Sequence, residues 1–200
     1  TLALAITLSA DLRKRLLGLH WVFGVAIVLA IASPWFVYMY ARFREDFVNG
    51  YFLDENVRLF ASSRFANQPR FWFYFQILAL GLLPWTGLVI GRAVDDIRAR
   101  LRGEPVDGIE VLLWSWTIAI VGFFTLSTFK LDHYVFPAAP SLCLLCGRAW
   151  ADVRADPLAS RNAGARVGLH LVGPLLVALG VGCGVFLVAR LELPRAAIVV

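Results

Sequence analysis

Four polar side chains lie together between two apolar runs in the stretch STFKLDHYVFPAAP, residues 127–140. They are Lys130, Asp132, His133 and Tyr134. An ammonium, an imidazole and a phenol within five residues supply several hydrogen-bond donors, which is the chemistry that binds a phosphate. The alternative is a solvated turn in which Lys130 pairs with Asp132. Sequence physics alone leaves both interpretations open.

A second polar group, Asp54, Glu55, Asn56 and Arg58, follows in the stretch GYFLDENVRLF. The simplest interpretation is a helix face with mixed charges exposed to water. The alternative is that the carboxylates orient a cationic group or ligate a metal. The metal interpretation is the weaker one, because the spacing provides no second imidazole or carboxylate beside the Glu-Asn pair.

The composition indicates the setting in which these groups work. The chain has 200 residues, of which 60% are hydrophobic and 16% charged, with a net charge of +5. In soluble domains about a quarter of the residues are charged, which is well above the fraction in this chain. We therefore predict an integral membrane protein. The basic residues cluster in short loops between apolar runs, as in cytoplasmic loops, and no basic strip interleaved with aromatics indicates nucleic-acid binding.

The apolar runs predict an all-α polytopic transmembrane bundle. Five spans are expected at residues 16–40, 71–91, 109–127, 133–150 and 167–189, after a partial helix at the start that suggests a fragment of a longer protein. The basic loops 11–15, 92–108 and 151–166 are predicted to be cytoplasmic. Residues 41–70 then form an outer juxtamembrane loop with one or two amphipathic helices, and residues 71–150 form a three-span core that carries the polar turn at its outer mouth.

The order of these elements resembles a known family. Residues 33–150 are similar to the middle transmembrane region of bacterial 4-amino-4-deoxy-L-arabinose lipid A transferases and their protein-mannosyltransferase-like relatives, which are C-type polytopic glycosyltransferases. The most specific signal is a spaced run at Phe123, Phe124, Leu126, Ser127, Lys130, His133, Tyr134, Pro137 and Pro140. The resemblance implies transfer of a sugar from a polyprenyl-phosphate donor to a lipid, glycan or protein acceptor, at the outer face of the bacterial cytoplasmic membrane.

The resemblance also assigns roles to residues. Lys130 and Tyr134 would border the donor phosphate, with His133 and the loop residues Glu55, Asn56 and Arg58 as further substrate-binding candidates. Glu55 and Asn56 match a Glu-His pair of the arabinosyl branch, in which the histidine takes part in a metal site. Asn56 departs from that pattern, and Leu59 stands where the branch has an arginine. No cofactor or metal ligand is therefore assigned, although a divalent metal is left open.

In such enzymes the acidic catalytic residue lies in the first outer loop, which this chain does not include. The chain is thus expected to be part of one transferase domain and inactive alone. Two other functions compete with this one. A transporter would use Lys130, Asp132 and His133 along a permeation path, and a non-catalytic membrane subunit would bind lipid only.

Overall fold

A computed structural model describes residues 18–62 and 69–191 of the chain, together with residues 3, 7, 13 and 14. All the regular secondary structure in this part of the chain is helical, and it contains no strand. It forms two compact units. The first comprises the described residues up to 75 with residues 107–139, and the second comprises residues 76–106 with those from 140 onward. The predicted all-α membrane architecture is confirmed.

The first unit begins with a long apolar helix, α1 (Trp21–Phe47), which contains Pro34. It continues into an eleven-residue π-helix (Val48–Arg58) and a single α-turn, α2 (Leu59–Ala61). Together they make a helical stretch that is long and apolar enough to cross a membrane. The apolar side chains along α1 are exposed within this chain, as expected for a helix that contacts lipid or further protein.

The polar turn lies between α5 and α6. Helix α3 (Phe73–Gly81) and α4 (Thr86–Leu101) precede them, and α5 (Gly108–Leu126) begins with the Asp107 carboxylate as its N-cap. A short 3₁₀ helix (Asp132–Ala138) containing Pro137 follows the turn and leads into α6 (Ala139–Ala155). The turn is thus the short connection between the end of α5 and this 3₁₀ helix.

In the second unit, glycines bring α4 into close contact with α7 (Ala163–Leu191), which follows a 3₁₀ turn (Ser160–Asn162). A Cβ atom on Gly91 would collide with the Gly164 backbone, and one on Gly168 would collide with the Gly87 backbone. On each helix the two glycines are four residues apart, Gly87 and Gly91 on α4 and Gly164 and Gly168 on α7. The two helices therefore pack one GxxxG face against another. This glycine contact was not predicted from the sequence.

A buried polar network sits next to this contact. The Asp95 carboxylate on α4 accepts hydrogen bonds from the amides of Gly164 and Ala165, both at 2.8 Å, and so caps the N-terminus of α7. The buried Arg92 guanidinium pairs with Asp96 at 3.3 Å and with Asp152 at 2.8 Å. These contacts tie α4 to α6 and to the start of α7.

The number of spans differs from the prediction. Three described stretches are long and apolar enough to cross a membrane, Trp21–Ala61, Gly108–Leu126 and Ser160–Arg190, and they match three of the five predicted spans. The expected span 71–91 is broken: α3 and α4 meet at 115° around Pro84, and the pair counts as a fourth crossing only if it is one bent span.

The expected span 133–150 becomes a 3₁₀ turn followed by α6, because Pro137 prevents regular α-helix at its start. The predicted partial first helix and residues 63–68 of the outer loop lie outside the described residues, apart from a few single positions.

We expect Gly168→Ala to destabilise the second unit by about 1–3 kcal/mol, because the added methyl would force α7 away from the Gly87 carbonyl. Thermal unfolding of the detergent-solubilised protein, followed by helical circular dichroism, measures the effect. Gly180→Ala on the same helix is the matched control, since a Cβ there meets no atom within 4 Å and its stability should not fall. Equal melting temperatures for the two variants would contradict the glycine contact.

Asp95→Ala is expected to lower the free energy of unfolding by about 1–3 kcal/mol, because two buried amides of α7 lose their acceptor. The matched control is Glu104→Ala, which removes an exposed carboxylate 3.4 Å from Arg102 and should cost less than about 1 kcal/mol. Chemical denaturation in detergent compares the two. A loss at Asp95 no larger than that at Glu104 would rule out the capping role.

Candidate functional site

The polar turn is held tightly by its own backbone. The half-buried Lys130 ammonium donates to the carbonyl of Ser127, and the Ser127 hydroxyl donates to the carbonyl of Phe129 at 2.9 Å. Both contacts close the turn directly after α5 ends at Leu126. The ammonium is therefore kept at the end of an apolar helix and does not extend freely away from it.

Tyr134 sits against the same helix end. Its ring lies 4.9 Å from the ring of Phe124 and 6.2 Å from that of Phe129, measured between centroids. Because both aromatic partners flank the Lys130 turn, the Tyr134 ring packs against the end of α5 and against the turn that follows it. Lys130 and Tyr134 thus both lie at this helix end, and their role at a phosphate stays a prediction.

Asp132 and His133 interact with each other. The His133 amide donates to the Asp132 carboxylate at 2.8 Å, and the imidazole Nδ1 lies 3.4 Å from the same oxygen. Both side chains are exposed. The Asp132 carboxylate thus contacts the neighbouring His133 through both its backbone amide and its ring. The substrate-binding role of His133 stays a prediction.

Tyr74, on α3 beneath this turn, was not predicted as a site residue. Its side chain is fully buried and its hydroxyl has no hydrogen-bond partner of ordinary geometry in the described part of the chain. The hydroxyl interacts electrostatically with the Leu131 backbone and with the side chains of Asp132 and Tyr134, all of them in or next to the polar turn. A single hydroxyl within the aromatic run FWFYF was the available signal, but nothing in the sequence indicated that it faces the turn.

The outer-loop candidates lie on the π-helix. Arg58 forms an ion pair with Asp54 one turn earlier, and the Asn56 amide donates to the carbonyl of Tyr51. Glu55 is exposed. π-Helical segments are rare and frequently occur at functional sites. The described part of the loop is helical, but it is a π-helix that continues α1 and not the separate α-helix that the spacing predicted. Its place at the membrane surface stays a prediction.

A clasp joins the end of this loop to the polar turn. The Thr128 amide donates to the carbonyl of Phe60 at 3.0 Å, and the Thr128 hydroxyl lies 3.2 Å from the carbonyl of Ala61. The rings of Phe60 and Phe123 approach to 4.9 Å beside it. The two carbonyls belong to the last turn of α2 and would otherwise lack intrahelical partners. Thr128 carries no charge and was not among the predicted site residues.

The described residues contain no group of three or more His, Cys, Asp or Glu side chains arranged to hold a metal ion. At the position where the resemblance places a histidine ligand, the amide of Asn56 is bonded to backbone. The described residues thus lack the imidazole of the arabinosyl-branch pattern, and no step is derived through a metal.

Known proteins match most of this chain. It is 32% identical over 189 residues to undecaprenyl phosphate-α-4-amino-4-deoxy-L-arabinose arabinosyl transferase 1 of Sodalis glossinidius, covering 91% of this chain and 33% of that protein. It is 31% identical over 195 residues to the transferase of that name from Yersinia pestis, covering 94% and 33%. The Pseudomonas paraeruginosa protein of the same name is 32% identical over 162 residues, covering 80% and 28%.

These matches confirm the family resemblance that the sequence indicated. The chain spans about a third of the length of the curated relatives it matches. No protein-family model matches the chain, and no solved structure matches it either.

Thr128→Val is expected to loosen the outer loop, because valine keeps the shape of threonine but cannot donate to the Ala61 carbonyl. Loss of about 1 kcal/mol would raise amide hydrogen exchange in residues 48–62 roughly fivefold. Mass spectrometry of the protein in detergent measures the rate. Thr128→Ser keeps the hydroxyl and should exchange like the unmodified protein, and unchanged exchange in the valine variant would exclude the clasp.

Proposed function

We propose that this chain is the part of a membrane glycosyltransferase that binds the phosphate of a polyprenyl-phosphate sugar donor. The observation that carries the proposal is the similarity, over about nine-tenths of the chain, to proteins named as undecaprenyl phosphate-aminoarabinose arabinosyl transferases. Two further contacts support it: at the end of an apolar helix, the Lys130 ammonium closes the turn and the Tyr134 ring packs on Phe124. The transferase similarity also favours this function over a transporter or a non-catalytic lipid-binding subunit.

The proposed location is the bacterial inner membrane. Loops 11–15, 92–108 and 151–166 would face the cytoplasm, because they carry the clustered basic residues. The Lys130 turn and the π-helix would then lie at the outer rim. A lipid-linked phosphate sits at that depth, with its polyprenyl chain in the hydrocarbon and its sugar towards water. The acceptor would be a membrane lipid or glycan, with lipid A as the example that the family suggests.

The proposed chemistry is the departure of polyprenyl phosphate from the anomeric carbon of the sugar as an acceptor hydroxyl attacks. Negative charge grows on the phosphate oxygen as that bond breaks. The Lys130 ammonium and the Tyr134 hydroxyl would stabilise this charge, since both donate hydrogen bonds and are held in place before the reaction. A general base for the acceptor hydroxyl is not assigned within this chain, in keeping with the family pattern of an acidic residue upstream.

Roles also follow for the other candidates. Glu55, Asn56 and Arg58 would face the donor or acceptor from the π-helix, and the Thr128 clasp would hold that loop against the phosphate turn. His133, exposed at the start of the 3₁₀ helix, would contact the polar part of a substrate from the turn. These roles rest on placement in the first unit, where the loop and the turn meet.

Lys130→Ala in the complete protein is expected to lower sugar transfer roughly 100-fold, because the leaving phosphate loses a fixed positive charge. Transfer of radiolabelled sugar from polyprenyl phosphate to membrane acceptors measures it. Lys130→Arg keeps the charge and should retain part of the activity.

The control for general effects of removing a lysine is Lys14→Ala, which lies in a proposed cytoplasmic loop and should transfer sugar at the unmodified rate. Undiminished transfer by Lys130→Ala would refute the phosphate role. No transfer by the unmodified protein from any polyprenyl-phosphate sugar would refute the proposed function itself.

A further inference from the structure

A short loop, residues 156–159, joins α6 to the 3₁₀ turn before α7 in the second unit. Leu158 lies in this loop, and its side chain is 88% exposed. A single exposed leucine is ordinary at a protein surface. It indicates a partner only where the fold holds it outward and where the neighbouring groups show what the partner is. This loop meets both conditions.

Hydrogen bonds fix the shape of the loop. The Leu158 amide donates to the Asp156 carboxylate at 3.2 Å, and the Ala159 amide donates to the Asp156 carbonyl at 3.4 Å. Across the base of the loop, the side-chain amide of the buried Asn162 donates to the carbonyl of Asp152 at 3.2 Å. The exposed position of Leu158 is therefore set by a loop whose backbone is bonded along its length.

The loop lies beside the end of a membrane span. The stretch Ser160–Arg190 is long and apolar enough to cross a membrane. Its 31 residues extend for about 46 Å as a helix, whereas the hydrocarbon core is about 30 Å thick, so its basic first turns reach into the headgroup layer. Arg166, which lies in those turns, donates to the carbonyl of Pro157 at 2.6 Å. This bond keeps the loop at the depth of the headgroups.

Two arginines flank the exposed leucine. Arg154 lies in the last turn of α6 and Arg161 in the 3₁₀ turn, and both are exposed. No ion pair among the described residues involves either guanidinium. The carboxylate of Asp152 is paired with the buried Arg92, which leaves the Asp156 carboxylate as the acid of the loop. The surface around the leucine is therefore positive.

Two tryptophans mark the membrane interface on the same unit. The rings of Trp85 and Trp150 meet at 5.5 Å, and each residue is 38% exposed. Trp150 lies one turn before Arg154 on α6. Indole rings favour the interfacial layer of a bilayer, and basic side chains are attracted to the anionic surface outside it. The order along α6, from tryptophan to arginine to the loop, matches the passage from the bilayer to its charged surface.

We propose that this loop docks on the anionic surface of the membrane that α7 crosses, with the Leu158 side chain among the acyl chains and Arg154 and Arg161 on lipid phosphates. A guanidinium matches the oxygens of a phosphate in a bidentate geometry. The leucine adds apolar burial, which maintains binding where salt screens the charges. The partner is a lipid surface, because the span places a bilayer directly beside the loop. The inference goes beyond sugar transfer and does not depend on it.

The test places a fluorophore on the loop in the complete protein. Leu158→Cys, in a background without other cysteines, is labelled with an NBD group, which emits strongly in an apolar environment and weakly in water. The protein is reconstituted in phosphatidylcholine vesicles with or without phosphatidylglycerol. The probe should insert when phosphatidylglycerol is present, and Arg154→Gln and Arg161→Gln should each shift its equilibrium towards water roughly fivefold. Arg190→Gln, at the opposite end of α7, is the matched control and should leave the emission unchanged.

Weak emission in both kinds of vesicle would overturn the inference, because the loop would then lie in water. Equal emission with and without phosphatidylglycerol, or no effect of either arginine, would also overturn it, since the surface would then not recognise anionic lipid. Strong emission in native membranes that is lost in vesicles of lipid alone would assign the loop to a protein partner, against the proposal. Lower emission in the two arginine variants, with helical circular dichroism unchanged, supports it.

Discussion

A helix that ends in or near a membrane leaves backbone amides or carbonyls without partners, and this constraint organises both units of the chain. The amides at the start of α7 bind Asp95, and the carbonyls at the end of α2 bind Thr128. At the Pro84 break, the Thr86 hydroxyl donates to the Ala79 carbonyl at 2.6 Å. In each case a side chain from beyond the broken or ending helix satisfies the backbone, so the same contacts that pair these groups also join the elements.

The proposed site depends on this arrangement. The Lys130 ammonium closes the turn after α5 by bonding Ser127, and Thr128, in the middle of that turn, binds the end of the outer loop. A polar turn that could have been a mobile connection is thereby fixed to both neighbours. Preorganised donors are what stabilisation of a leaving phosphate requires, because donors that must reorient during the reaction lose much of their effect.

Individual residues show how far sequence reasoning reached. The polar stretch around Lys130 stood out because ionisable groups between apolar runs are costly, and the family resemblance then singled out Lys130 and Tyr134. The structure places both residues at the end of α5, and their role stays a prediction. The spans at α1, α5 and α7 followed from length and hydropathy alone. The break at Pro84 was harder to foresee, because proline kinks many transmembrane helices without bending them by 115°. Thr128 and Tyr74 carried no charge, and their importance comes from residues distant in sequence.

The sequence by itself determined the membrane setting, the all-helical class, the family resemblance and the position of the polar turn, because these depend on local composition and spacing. Tertiary structure decided which glycines touch, where the outer loop is clasped, and how the loop before α7 holds Leu158 outward. The physical reason is that such contacts require particular distances and backbone angles. Residue type and spacing do not encode those angles in any simple pattern, whereas hydropathy and charge can be read directly from the chain.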